Sequence, residues 1–436
     1  NAGVAKTQAY ILDTSAPVVT VTSVGDGDNT VSSQVGDANV LGTAEANSTV
    51  TIKTGSTTLG TAATDASGNF VYTLTAGNIT TLGQGNDTIT VTQTDTAGNI
   101  GTSSVFSFKV DTVAPSTPSF ALGTGVAGGA TAAEATQGSG VVTVNAESGA
   151  AISVVFTNGA NTVTKTLTGT GSAQAVTLTS ADLTTLHDGT ISVSATATDA
   201  AGNTSSAGTT SFILDTIAPT APTAAPTVIG TIASGISASE ASSGFTVTAS
   251  LGGTNAVAGD TIKLLINGGT TSLSATLSAS DITNATYTFT VTNTSITANS
   301  TNTFAAQVID AAGNVGPSSS AISLTYDTLA PAVTGVSDNI AASVTNAPIT
   351  FTVVFGEAVV GSVSASNFTA SNGTISSVTT VNSTTYTVVV TPTSNLASGN
   401  VALSLVGTGL TDLAGNPVAN ASLSAFDSQA VDTLAP

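Results

Sequence analysis

A five-residue phrase, Asp-Thr-x-Ala-Pro, occurs five times in this chain, at Asp13, Asp111, Asp215, Asp327 and Asp432. Successive copies start 98, 104, 112 and 105 residues apart. A second phrase, Asp-x-Ala-Gly-Asn, keeps register with it at Asp95–Asn99, Asp199–Asn203, Asp310–Asn314 and Asp412–Asn416. It precedes the next Asp-Thr-x-Ala-Pro by 16, 16, 17 and 20 residues. Two linked markers recurring about every hundred residues describe an array of small domains joined by one kind of junction.

A length of 436 residues would suggest about three domains at ~150 residues each, but the period predicts four smaller ones. Their bounds are 14–111, 112–215, 216–327 and 328–432, with 1–13 as the end of a preceding repeat and 433–436 as the start of the next linker. Ala9-Tyr-Ile-Leu-Asp13 matches Phe212-Ile-Leu-Asp215, a strand end whose own domain would lie upstream. The chain therefore reads as an internal piece of a longer protein.

Composition narrows the chemistry. Asp and Glu number 25 against 5 Lys+Arg, giving a net charge of −20, and all five cations are Lys. Such a chain repels nucleic acid and anionic membrane surfaces, and offers many oxygen ligands to hard cations. Without Arg it has no residue for bidentate phosphate recognition. Cys is absent, which removes disulfides, thiolate metal sites and Cys nucleophiles. No signal segment opens the chain and no sustained apolar run has the ~18 residues a membrane helix needs.

Strand signals dominate: polar and apolar residues alternate in Val18–Thr22, Thr88–Thr92, Ile191–Thr196 and Tyr386–Val390. Gly, Asn and Asp interrupt them every 8–12 residues, the pattern of an antiparallel β-sandwich with one half-buried face per strand. Repeat 1 threads as strands A 18–24, B 39–44, C 49–54, D 57–64, E 70–75, F 87–94 and G 100–110. Repeat 2 places B near 141–146, C 151–157, F 190–198 and G 204–214; repeat 3 places B near 245–250, C 261–266, F 303–309 and G 315–326. Repeat 4 places B near 349–355, F 400–407 and G 418–431. The fold expected is all-β: tandem seven-strand antiparallel sandwiches in an elongated array.

In such a sandwich the B–C, D–E and F–G loops share the end where the chain enters, so Asp-x-Ala-Gly-Asn faces the junction before its own repeat. The B–C loops carry Glu45, Glu147, Asp260 and Glu357. Each junction is thus expected to gather three carboxylates: Asp13, Glu45 and Asp95; Asp111, Glu147 and Asp199; Asp215, Asp260 and Asp310; Asp327, Glu357 and Asp412. Three converging anions repel unless a cation neutralises them. Calcium, which takes 6–8 oxygens, suits them best, about one or more ions per junction, with Asn99, Asn203, Asn314 or Asn416 completing the shell. Zinc would want His or Cys. The alternative is plain turn formation, because Asp, Asn and Gly hydrogen-bond and bend their own backbone. Asp65 and Asp281, read in D–E loops, are weaker additions, and Glu134 and Glu240 in A–B loops at the opposite end read as solvated turns or weak secondary ligands.

Enzymatic chemistry finds no foothold. The single histidine, His187, sits in a predicted E–F turn (Leu186-His-Asp-Gly189); no phosphate loop or nucleophile–base pair recurs. Trp is absent, so paired acids lack the aromatic platform of a sugar-cleaving site. Lys53, Lys109, Lys165 and Lys263 share no position across repeats, which argues against Lys–Asn cross-links.

The junction phrase, Gly42-Thr-Ala-Glu-Ala-Asn-Ser-Thr-Val50 and Thr196-Ala-Thr-Asp-Ala-Ala-Gly-Asn203 resemble the bacterial Ig-like repeats of giant surface adhesins, the biofilm-associated and RTX-type proteins secreted by type I systems. Repeat 4, with Ile349–Val359 and Asn367–Gly373, is similar to a neighbouring subfamily. The resemblance covers essentially the whole chain. It implies a monomeric extracellular stalk at the bacterial cell surface, stiffened by calcium at its junctions, holding a distal tip that meets a glycan or protein of the host or cell surface through other regions. The second reading is that the repeats are themselves adhesive, binding glycan, host surface or like copies. That reading predicts exposed aromatics in a divergent repeat and points to Phe368 and Tyr386.

Overall fold

Val, Ile, Phe and Thr set at alternate positions can bury one face of an extended strand and leave the other to water. The computed structural model, which describes residues 6, 8–228, 235–341 and 344–435, shows this repeatedly. In strand C of repeat 2, Ala151–Asn158, Ile152, Val154 and Phe156 are buried while the residues between them are not. Four separate hydrophobic cores result, spanning Val19–Val110, Val126–Leu214, Ile236–Tyr326 and Ile349–Val431. Edge-to-face aromatic pairs anchor three of them: Phe156–Phe212, Phe245–Phe304 and Phe355–Tyr386. Each such pair contributes ~0.5–1.5 kcal/mol beyond burial.

Repeats 2 and 3 share one topology. In repeat 2, strands A (Ser119–Leu122), B (Val142–Asn145) and E (Gln174–Val176) form one sheet. D (Asn161–Thr168), C (Ala151–Asn158), F (Gly189–Thr198) and G (Gly208–Leu214) form the other, all neighbours antiparallel. In repeat 3 the A-B-E sheet is Thr227–Val228, Phe245–Ser250 and Thr286–Val291, facing D-C-F-G as Thr271–Thr276, Thr261–Ile266, Ser300–Ile309 and Ile322–Tyr326.

Strand number is not uniform. Repeat 1 adds a short parallel strand, Thr30–Val31, beside Phe106–Val110, and splits its G region by a separate strand, Ile100–Thr102. In repeat 4 the strand Gly373–Asn382 pairs with Thr385–Pro392, not with the strand before it, so its four-stranded sheet runs Val333–Asp338, Ile349–Phe355, Thr385–Pro392, Gly373–Asn382. The first compact unit is Asn1–Thr216 and the second Ile217–Pro436.

Helices are more frequent than the composition suggests. Ala76–Leu82, Ala132–Ala135, Ser180–Leu186, Ala238–Ser243 and Ala279–Asn284 are helical, each opened by a capping box. A Thr or Ser hydroxyl accepts the backbone N–H three residues on, and the Asn, Asp or Glu there reaches back to the first residue's N–H. Glu134 and Glu240 are therefore capping residues, not free turn acids, and Asp281 caps a helix where a loop is expected. His187 is the exposed, positive-φ residue ending Ser180–Leu186.

Candidate metal centre at the repeat junctions

The Asp-x-Ala-Gly-Asn loop closes the same way four times. Asp Oδ1 accepts the Asn backbone N–H at 2.8 Å in every copy, and the Asp N–H donates to the Asn carbonyl at 3.0–3.1 Å. Gly98, Gly202, Gly313 and Gly415 take φ of 94°, 90°, 104° and 101°, a left-handed turn that glycine adopts without a Cβ clash. Asn Nδ2 donates to the Asp Oδ2 at 2.8, 2.9, 2.9 and 2.7 Å. Turn formation is thus one real role of these residues.

The same Nδ2 groups reach outside the loop. Asn99 donates to the Asp13 carbonyl at 3.1 Å, Asn203 to Asp111 at 2.8 Å and Asn416 to Asp327 at 2.9 Å. In repeats 1, 2 and 4 the F–G loop therefore lies against the junction preceding its own repeat, the end that an alternating strand order dictates.

The preceding repeat holds the junction from the other side. The Asp111 N–H donates to the Val31 carbonyl at 2.8 Å and the Asp327 N–H to Ile236 at 2.9 Å. Next along, Thr112 pairs with Gln84 through both its N–H and its hydroxyl, and Thr328 does so with Asn299 Oδ1. The Thr216 hydroxyl donates to Asp188 Oδ1. Pro17, Pro115, Pro219 and Pro331 are buried. At Asp111 and Asp327 the junction phrase is thus fastened on both sides: the Asp N–H and the Thr hold the repeat behind, while the Asp carbonyl holds the repeat ahead.

Carboxylates converge most closely at the Asp327 junction. Asp327, Glu357 and Asp412 bring one oxygen each to within 4.8 Å of one another. Asp412 is buried and accepts from Gly415 N–H at 2.6 Å and Asn416 N–H at 2.8 Å. Asp327 Oδ1 accepts the Leu329 N–H at 2.9 Å. Burial pushes the Glu357 carboxyl above its ordinary value, and the negative charges of Asp327 and Asp412 push it the same way. An all-oxygen, partly desolvated set of three acids is what a hard divalent cation requires.

The other triads differ. Asp13 is exposed, while Glu45 Oε2 accepts Gln93 Nε2 at 2.6 Å, so a buried amide already steadies that acid. At the second triad Glu147 is exposed, and Lys109 Nζ sits 2.8 Å from Asp111 Oδ2. The bond to Asp111 raises the Lys109 pKa, with a smaller contribution from Asp199. Neither set meets the 4.8 Å spacing. In the second compact unit, Asp260 is buried; its Oδ2 accepts Val257 N–H at 2.8 Å and its Oδ1 the Ala311 N–H at 3.1 Å, clipping the B–C loop to the F–G loop beside Asp310. Asp215 lies in the first unit, its N–H donating to the Ala130 carbonyl.

A second acidic cluster escapes sequence reasoning: Asp26, Asp28 and Asp37, in the A–B loop of repeat 1, meet the same 4.8 Å spacing. The Asp-Gly-Asp spacing at 26–28 is its only sequence signal. Asp37 is buried, accepting from the Asp26 and Ser32 N–H groups at 2.8 Å and from the Ser32 hydroxyl. The two aromatics that the adhesive reading points to, Phe368 and Tyr386, are each 3% exposed, in the core, while Phe426 of the same repeat is exposed.

Residues 26–110 match the family model described as a bacterial Ig domain, and residues 327–430 the model described as a bacterial Ig-like domain. No curated protein sequence matches the chain. Similar solved structures include a Ca2+-stabilized adhesin that helps an Antarctic bacterium reach out and bind ice, at 22% identity over 97% of this chain and 99% of that one, TM-score 0.35. A 1.5-MDa bacterial ice-binding adhesin is 22% identical over 72% and 99%, TM-score 0.32. A tetra-tandem repeat from the extending region of a large adhesion protein is 20% identical over 94% and 99%, TM-score 0.26. Residues 26–110 are thus similar to bacterial Ig domains and residues 327–430 to bacterial Ig-like domains, in a chain whose described residues build four β-sheet cores.

Proposed function

We propose that this chain is an extender segment of a large bacterial surface adhesin, acting outside the cell as a structural stalk and not as an enzyme. Its repeats run 14–111, 112–215, 216–327 and 328–432, and calcium at the junctions stiffens them. The convergence of Asp327, Glu357 and Asp412 carries the proposal. Asp327 belongs to the end of one repeat, Glu357 and Asp412 to two loops of the next, so a cation bound by all three would tie the repeats together. The ion supplies charge neutralisation; the chain supplies the oxygens and, through Asn416, a fixed carbonyl at Asp327. The Asp13 and Asp111 triads are the same arrangement in looser form. A distal tip elsewhere in the full protein would make the contact with a surface.

Calorimetric calcium titration of the full chain tests this, with Glu357→Gln and Asp412→Asn beside the parent. The expected result is loss of about one ion in each variant, and a larger maximum dimension by small-angle scattering in millimolar calcium than in EDTA. Unchanged stoichiometry in both variants refutes the site; identical dimensions with and without EDTA refute the stiffening.

A further inference from the structure

We infer that Asn203 and Asn416 lock adjacent repeats at a fixed angle without any metal ion. The carboxamide oxygen of each accepts a backbone N–H from the A–B segment of the preceding repeat: Ser33 for Asn203 at 2.8 Å and Ala238 for Asn416 at 2.9 Å. The amide nitrogen of each spends its two hydrogens on the junction carbonyl and on the Asp of its own loop. One side chain therefore grips three segments: the preceding repeat, the linker and the following repeat.

An asparagine carboxamide has two N–H donors and an acceptor oxygen, and all are engaged here. Both side chains are sealed from water, Asn203 at 0% and Asn416 at 3% exposure. A swing of one repeat against the next would open these bonds and hand their groups to water, each at a net cost of about two- to tenfold in the equilibrium. At the first junction Gln34 Nε2 adds a bond to the Gly202 carbonyl at 2.9 Å.

The same connection forms at two junctions from different local sequences, Val31-Ser-Ser33 and Ile236-Ser-Ala238. The preceding repeat contributes only a backbone N–H, so the residue there is free to vary while the asparagine is not. Aspartate could not substitute, because it lacks both donors and would face Asp199 or Asp412. The lock stands apart from the calcium reading: it uses no carboxylate supplied by the preceding repeat and no ion.

The chain has no cysteine, so Thr58→Cys and Thr162→Cys, both exposed, place one spin label on each of repeats 1 and 2 in the full chain. All measurements are made in EDTA. The expected result is a narrow inter-label distance distribution for the parent and one at least about twofold broader for Asn203→Ala. Because that variant also weakens its own loop, Ser33→Pro with Gln34→Ala removes both donors from the preceding repeat and leaves repeat 2 untouched; it should broaden the distribution equally. A parent in EDTA as broad as Asn203→Ala overturns the inference. So does a Ser33→Pro/Gln34→Ala variant as narrow as the parent.

Discussion

Glu357→Gln should change the stability of repeat 4 in opposite directions with and without calcium. In metal-free protein Glu357 faces two carboxylates within 4.8 Å. Two unit charges at that distance repel by ~3 kcal/mol at an effective dielectric of ~20 and by less than ~1 kcal/mol in bulk water. Glu357 is half-buried, so neutralising it should stabilise the repeat by about 1–3 kcal/mol, worth ~4–8 °C per kcal/mol in a domain of this size. With calcium at ~100 times its Kd, the parent gains ~2.7 kcal/mol, most of which the neutral amide forfeits. Hydrogen exchange of Ile349–Phe355 and Thr385–Pro392 reads the stability of repeat 4 alone within the full chain. The pH dependence has a matching sign. The folded carboxyl is raised above 4.5 by burial and by its two acidic neighbours, so metal-free stability rises as pH falls through that folded value and levels off below the unfolded one. Glu357→Gln should erase this rise. A stability change of the same sign in EDTA and in calcium would refute the crowding argument.

Other consequences follow from the junction loops. The Asn99 side chain, followed by backbone N–H groups, holds Asp95 below the ordinary carboxylate value. Its contribution to repeat 1 is present above the unfolded value of 3.8 and lost as pH falls through the lower folded one; Asp95→Asn should flatten acid unfolding of Gly85–Thr94, read by exchange. Gly98→Ala and Gly202→Ala both force a left-handed alanine, costing ~1–2 kcal/mol by thermal melting. Only at Gly202 does the added Cβ meet Gln34 Nε2, so only Gly202→Ala should also displace that side chain, cost its bond to the Gly202 carbonyl and loosen repeat 1 against repeat 2; on a Gln34→Ala background Gly202→Ala should add no further loosening. Lys109→Gln removes the ammonium beside Asp111 and should tighten calcium binding at that junction by severalfold in calorimetric titration; unchanged binding would separate Lys109 from the site.

Strand positions were legible because alternation is a local property. Strand C of repeat 1 is expected at 49–54 and found at Thr49–Thr54, and strand B of repeat 3 at 245–250 is found at Phe245–Ser250. The short helices are not anticipated in the sequence reading, although their caps stand there as Thr75-x-x-Asn78, Thr179-x-x-Asp182 and Ser278-x-x-Asp281, because a Thr- and Ser-rich chain masks such caps among many similar triplets. The strand Gly373–Asn382 could not be assigned to a sheet from its sequence, since alternation says which face is buried and not which neighbour it pairs with.

The sequence by itself determined the repeat period, the all-β class and the residues at each junction, because turn chemistry and a two-residue period are written locally. Tertiary structure decided what those residues do to one another. It drew Asp327, Glu357 and Asp412 together while leaving Glu147 exposed and giving Asp111 a lysine. It also turned Asn203 and Asn416 toward the repeat behind them. Distances of a few ångströms between segments thirty or more residues apart depend on how two sheets pack, and spacing along the chain does not encode them.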